Sequence, residues 1–156
     1  VVSVNNATMS VYLEGADYDF NKVQEDPGFI TPLLNSSMIR MGCYTDYIGL
    51  EGVTDYVYTI ETSSNPLVYD GYLNRSLACY NMNISSYMQE LINEILKLER
   101  EADGSLDFSK LSVPRKLYLA PGANDRFTLN HSIIQGGDAE QNKASISIDI
   151  TYTLIK

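Results

Sequence analysis

Ile146, Ile148, Ile150, Tyr152 and Leu154 alternate with Ser147, Asp149, Thr151 and Thr153 near the C-terminal end of the chain. A period of two over this length gives an extended strand one apolar face and one polar face. The chain must therefore contain a sheet that buries one side, and its other β-rich runs fit the same class. These runs lie at residues 2–4, 9–13, 39–45, 56–60, 67–69 and 77–82; the 56–60 run (Tyr-Val-Tyr-Thr-Ile) again alternates. Residues 116–119 and 126–129 flank Ala120-Pro121-Gly122, where Pro-Gly fits a turn, and read as a hairpin or a corner between sheets.

One amphipathic helix is expected within this β framework, at about residues 86–102. Tyr87, Met88, Leu91, Ile92, Ile95 and Leu98 recur at spacings of three and four. Ser86 and Gln89 stand as N-cap and N3 of a capping box, and Gly104 is placed to stop the helix. Its charged face, with Glu90, Glu94, Lys97, Glu99, Arg100 and Glu101, reads as a solvated surface. The expected fold is mainly β, an antiparallel sandwich or jelly-roll-like domain with this helix inserted. At 156 residues, 44% of them hydrophobic, the chain forms one β-rich domain over 1–156. No internal repeat is evident. Residues 1–13 and the long polar stretch 14–29 are candidate contact arms. Further polar stretches lie at 61–66, 103–114 and 135–143.

Charge and composition then remove function classes. Eleven Lys and Arg against twenty Asp and Glu give a formal net charge of −9, which leaves nothing for a phosphate-binding face, so no nucleic-acid partner is expected. No apolar run approaches the roughly 18–20 residues that span a bilayer, so no membrane insertion is expected. The chain opens Val1-Val2-Ser3-Val4 rather than with Met, as a processed or trimmed product would.

Catalytic groups are sparse. His131 is the single histidine, and Ser132 beside it would point to the opposite face of a strand, which rules against a Ser–His pair. Neither a G-x-S-x-G elbow, a phosphate loop, C-x-x-C nor H-E-x-x-H occurs. Asp17, Asp19 and Asn21 start like a calcium loop, but Lys22 stands where the turn needs Gly and Gly28 where it needs the bidentate Glu, so calcium is not expected. A sugar-cleaving carboxylate pair would want aromatic platforms, and Trp is absent. An enzyme would need a pocket gathering several of Asp46, Glu51, Asp55 and Glu61 with raised carboxyl pKa values. No cofactor, metal or catalytic residue is expected.

Two further features point outside the cell. Asn6, Asn35, Asn74, Asn83 and Asn130 each begin an Asn-x-Ser/Thr sequon and are candidate glycosylation sites, although Asn83 sits where it could simply start the helix. Cys43 and Cys79 are a candidate disulfide closing a loop of about 37 residues, with a stabilisation of roughly 3–4 kcal/mol, against the alternative of two buried thiols. Twelve tyrosines suit half-buried strand faces and protein interfaces. The expected function is a non-enzymatic structural or assembly subunit of an extracellular particle or filament: a virion coat or capsid, decoration or tail component, or a pilus-like (fimbrial) subunit. Its expected partners are copies of itself or other structural proteins, at a cell surface, in a virion or in the extracellular space. Val2, Val4, Ile146, Ile148, Ile150, Tyr152 and Leu154 are the candidate assembly-strand residues, because unpaired strand edges template β-augmentation. The alternative is a secreted monomeric binding module presenting loops 15–28 and 136–143 to a ligand or receptor.

Overall fold

The computed structural model describes residues 1–12, 40–46, 48–49, 51–62, 69–74, 77, 79–121, 134 and 146–155. In chain order the elements are β1 (Val2–Tyr12), β2 (Met41–Asp46), β3 (Glu51–Gly52), α1 (Thr54–Thr62), β4 (Asp70–Asn74), β5 (Cys79–Asn83), α2 (Ser85–Ile95), a 3₁₀ turn (Phe108–Lys110), β6 (Tyr118–Pro121) and β7 (Ile146–Leu154). Mainly β is the fold class: the strands form two antiparallel sheets, one of four strands in the order β4-β5-β1-β7 and one of three in the order β3-β2-β6. The run at 2–4 and residues 9–12 of the run at 9–13 are parts of the single strand β1, whose register with β7 shifts between Val4 and Asn6. That irregularity breaks the alternation and makes one strand look like two.

Among the described residues there are two helices rather than one. Residues 56–60, expected as a strand, lie in α1. The same residues satisfy both periods: Val53, Tyr56, Val57 and Ile60 are also spaced i, i+3, i+4, i+7, and five residues are too few for alternation to decide. Val53 and Tyr56 are buried on the inner side of this helix, and the amides of Tyr56 and Val57 both donate to the Val53 carbonyl.

Helix α2 is shorter than expected and begins differently. It ends at Ile95, where the Lys97 and Leu98 amides bond three residues back, to Glu94 and Ile95, and tighten the last turn. Gly104, at φ +83°, turns the loop between Glu101 and Ser105 instead of stopping the helix. The capping box is also absent, since Ile84 is the N-cap and makes no side-chain cap bond. The Ser86 and Tyr87 amides donate instead to the two carboxyl oxygens of Asp55 in α1, both at 3.0 Å. Just before the helix, Asn83 Oδ1 accepts from the Ser85 amide and hydroxyl, and Ser85 Oγ accepts from the Ala7 amide of β1.

The far end of α2 holds the segment that follows it. The Ser112 hydroxyl, the Ser112 amide and the Val113 amide all donate to the Glu94 carboxylate. These bonds, led by the Ser112 hydroxyl and then the Val113 amide, hold the Glu94 carboxyl below its ordinary range. Its pKa is lower folded than unfolded, so the contact is intact above the ordinary Glu range and is lost as pH falls through the folded value. Hydrogen exchange, corrected for intrinsic rates, is expected to show Ser112 and Val113 protected near neutral pH and released as the pH is taken below the ordinary Glu range, a change that Glu94→Gln removes. Equal exchange in the two proteins across that range would refute the anchor.

Side chains from both sheets and both helices meet in one core. It contains Ala7, Met9 and Val11 of β1, Met41, Cys43 and Tyr44 of β2, Val53 and Tyr56 at α1, Tyr69 and Leu73 at β4, Tyr80 and Met82 of β5, and Ile84 and Tyr87 at α2. Among the described residues five tyrosines are thus interior, while Tyr58, Tyr72, Tyr118 and Tyr152 are exposed. Ser132, His131, Glu14 through Phe29 with Asp17, Asp19, Asn21, Lys22 and Gly28, the 126–129 run and the 135–143 stretch lie outside the described residues. Strand β6, which covers part of one flank of the expected hairpin or corner, pairs with β2, and its other flank at 126–129 lies outside the described residues.

Candidate functional site

Two places in the described residues hold polar or apolar groups that packing alone does not require. The first is interior. The Tyr44 and Tyr56 hydroxyls lie 3.2 Å apart with their rings edge to face, and the Tyr56 and Tyr69 ring centroids are 4.9 Å apart. Arg40 sits outside them, its guanidinium 5.7 Å from the Tyr69 ring centre and 5.2 Å from that of Tyr72. The Tyr69 hydroxyl is buried without a hydrogen-bond partner among the described residues. Burial, reinforced by Asp55, pushes the Cys43 thiol up to about 12, and burial raises the Tyr69 and Tyr87 hydroxyls as well. A thiol in that state is protonated at every physiological pH and is no nucleophile. The chemistry of this cluster is that of a core with its polar ends turned inward.

Cys43 and Cys79 are both buried and both free, on strands of different sheets, so the structure holds the expected disulfide pair as two thiols. Cys79 Sγ donates to Asn81 Oδ1 at 3.3 Å. Of the carboxylates an enzyme would need, Asp46 and Glu51 are exposed register partners on β2 and β3, whereas Asp55 is buried and engaged by the α2 amides. The Glu61 side chain lies outside the described residues. Among the described residues no group of three or more His, Cys, Asp or Glu could hold a metal ion.

The sequons differ in setting. Asn6 is exposed on β1, with its Nδ2 3.0 Å from the Thr8 hydroxyl of the same sequon. Asn74 accepts from the Leu77 amide in a turn, and Asn83 is half-buried in the turn that starts α2. Asn35 and Asn130 lie outside the described residues.

The second place is β7, the edge strand of its sheet among the described residues, which pairs with β1 from Val2↔Leu154 to Val11↔Ile146. Directly opposed residues share a sheet face, so the pairings define rows of side chains running across the sheet. One row runs Leu73, Tyr80, Val11, Ile146, with exposures of 8%, 0%, 0% and 45%; the next runs Met82, Met9, Ile148, with 0%, 3% and 46%. Each row is core until it reaches β7, where it opens to solvent. Ile150, Tyr152 and Leu154 continue the open strip at 38%, 56% and 67%. Among the described residues the covering layer is α2, which packs mainly against β1 rather than against the edge strand.

Val2 and Val4, the other candidate assembly residues, are placed differently from expectation. Strand β1 is interior to the sheet, with β7 along one side and β5 along the other from Thr8 to Tyr12. Beyond the reach of β5, the Gln89 side chain of α2 takes over: its Oε1 accepts from the Val4 amide at 2.6 Å and its Nε2 donates to the Val2 carbonyl at 3.0 Å. A side-chain amide thus stands in for a strand residue, and this edge is closed to augmentation from outside. The Ala7 carbonyl is taken in the same way, by the Ile84 amide. Sequence periodicity gave no access to Gln89 in this role, because it is set by where α2 crosses β1. Compared with models of protein families, with curated proteins and with solved structures, the chain matches none.

Proposed function

We propose that this protein is a non-enzymatic structural or assembly subunit of an extracellular particle or filament, joined to its neighbours by protein–protein contacts. The observation that carries this is the strip of Ile146, Ile148, Ile150, Tyr152 and Leu154, a continuation of the core face left open at a sheet edge. Monomers rarely leave a contiguous apolar patch of more than a few hundred Å² uncovered. Among the described residues no strand lies on the outer side of β7, nine residues long, and such an edge presents backbone groups of the kind that recruit another chain. An antiparallel sandwich or jelly-roll arrangement goes with this proposal, supported by the single core to which both sheets contribute. A place at a cell surface, in a virion or in the extracellular space is supported by the exposed Asn6 sequon, with its Thr8 hydroxyl alongside the acceptor nitrogen. The partners are copies of itself or other structural proteins; the net charge of −9 argues against nucleic acid.

Negative-stain electron microscopy of protein recovered from its native source, with light scattering on the same sample, tests the proposal. Regular fibres, shells or rings are the expected result. A dispersed monomer in the native material would overturn it.

A further inference from the structure

We infer that the apolar strip of β7 is covered by the same strip of a second copy of this chain, the two strands lying face to face across a twofold axis. This rests on the assembly function proposed above and names the partner at that site. Three observations fit a second copy at this site.

The first is charge. Two chains of net charge −9 repel over most of their surface and can meet closely only where carboxylates are missing. On β7 the single charged residue is Asp149, which opposes Thr8 and so lies on the polar face, away from the strip. The apolar face carries none. The second is shape. Among the described residues the four-stranded sheet is covered by α2 over β1 and exposed over β7, so that it ends in a ledge beside a step. A ledge of this form is complementary to itself: turned through a twofold, each copy's ledge lies on the other's and abuts its step, an isologous contact that closes. The third is area. The exposures of the five strip residues correspond to on the order of 500 Å² of side-chain surface per copy, hence about 1,000 Å² for the pair, which is the lower bound for a specific interface.

The geometry also sets which residues matter. Ile148 and Ile150 lie at the middle of the strip, where full desolvation is expected and hot spots concentrate. Asp149 sits between them in sequence and on the opposite face, so a change there alters the strand's charge without touching the contact.

Sedimentation equilibrium and light scattering on the full chain over a concentration series, for the wild type, Ile148→Lys, Ile150→Lys and Asp149→Lys, test the inference. The expected result is a wild-type dimer, self-association weakened about a hundredfold or more by either Ile→Lys change, and an unaltered or slightly tighter dimer for Asp149→Lys. Because each isoleucine is already partly exposed, a lysine there can lift its ammonium into water; circular dichroism checks that the variants remain folded. Ile148→Ser, which adds no charge, provides a milder variant should either lysine protein fail to fold.

A wild-type protein that stays monomeric throughout would overturn the twofold pairing. So would a dimer indifferent to all four substitutions, or one lost equally on Asp149→Lys. Regular assemblies in the native material together with any of these outcomes would leave the assembly function standing and move the contact to another surface or an unlike partner. Dispersed native monomers would remove both.

Discussion

Asp55→Ala is expected to destabilise the protein by about 3 kcal/mol, because it strips the acceptors from two amides at the start of α2 and leaves the Tyr87 amide buried without a partner. Asp55 is itself interior, 3% exposed, so water cannot replace the lost carboxyl oxygens without opening the contact between the helices. For a chain of this size the loss corresponds to a fall in Tm of roughly 6–12 °C. Asp55→Asn keeps one acceptor oxygen and a similar shape, and about half the effect is expected. Urea titrations followed by circular dichroism measure both. If Asp55→Ala cost less than about 1 kcal/mol, the carboxyl would not be what caps α2.

Gly71→Ala is expected to cost about 3 kcal/mol as well, for a different reason. Gly71 has φ +80°, which an alanine adopts at a cost of about 1 kcal/mol. The added Cβ would also lie 2.7 Å from the Met41 carbonyl oxygen and 2.7 Å from Tyr69 Cε1. The first neighbour is backbone of the other sheet, so relief requires the two sheets to move apart at the point where Arg40 Nε already binds the Asp70 carbonyl. Gly104→Ala provides the comparison. Its φ is +83° but nothing lies within 4 Å of the new Cβ, so only the conformational part, about 1 kcal/mol, is expected there. Equal losses at the two sites would mean that the sheets do not press on Gly71.

These two residues also mark how far the sequence could be read. The β class, the long strand at 146–154 and the apolar stripe of α2 follow from periodicity, since each has enough residues for one period to exclude the other. Residues 54–62 do not, because Val53, Tyr56, Val57 and Ile60 serve a helix while Tyr56, Tyr58 and Ile60 serve a strand; burial against the core selects the helix. Ser86 and Gln89 have the spacing of a capping box, yet Asp55, 31 residues before Ser86, supplies the cap. A cap from another element competes on equal chemical terms with a local one and leaves no mark in the spacing. The strip on β7 was legible as an apolar face, but that it stays open depends on the width of the layer above, a property of the assembled fold. Val2 and Val4 show the converse: equally apolar and equally near an end of the chain, they are shielded because a glutamine amide reaches their backbone.

The pairing of β1 with β7 has a consequence in time. Their partners lie at opposite ends of the sequence, Val2 with Leu154 and Val11 with Ile146, and 133 residues separate Tyr12 from Ile146. At a synthesis rate of about 5–20 residues per second, one whole side of β1 waits on the order of ten seconds for its partner to exist. Contacts so distant in sequence also close slowly once both strands are present, because the loop entropy is lost before the ladder repays it. During that interval β1 is an unfinished edge on a nascent chain, and neighbouring nascent chains on the same message carry identical edges. The Gln89 amide and the β5 ladder can form as soon as α2 has emerged, which guards one side early. The side reserved for β7 is the one at which crowding, chaperones and misassembly meet this protein first.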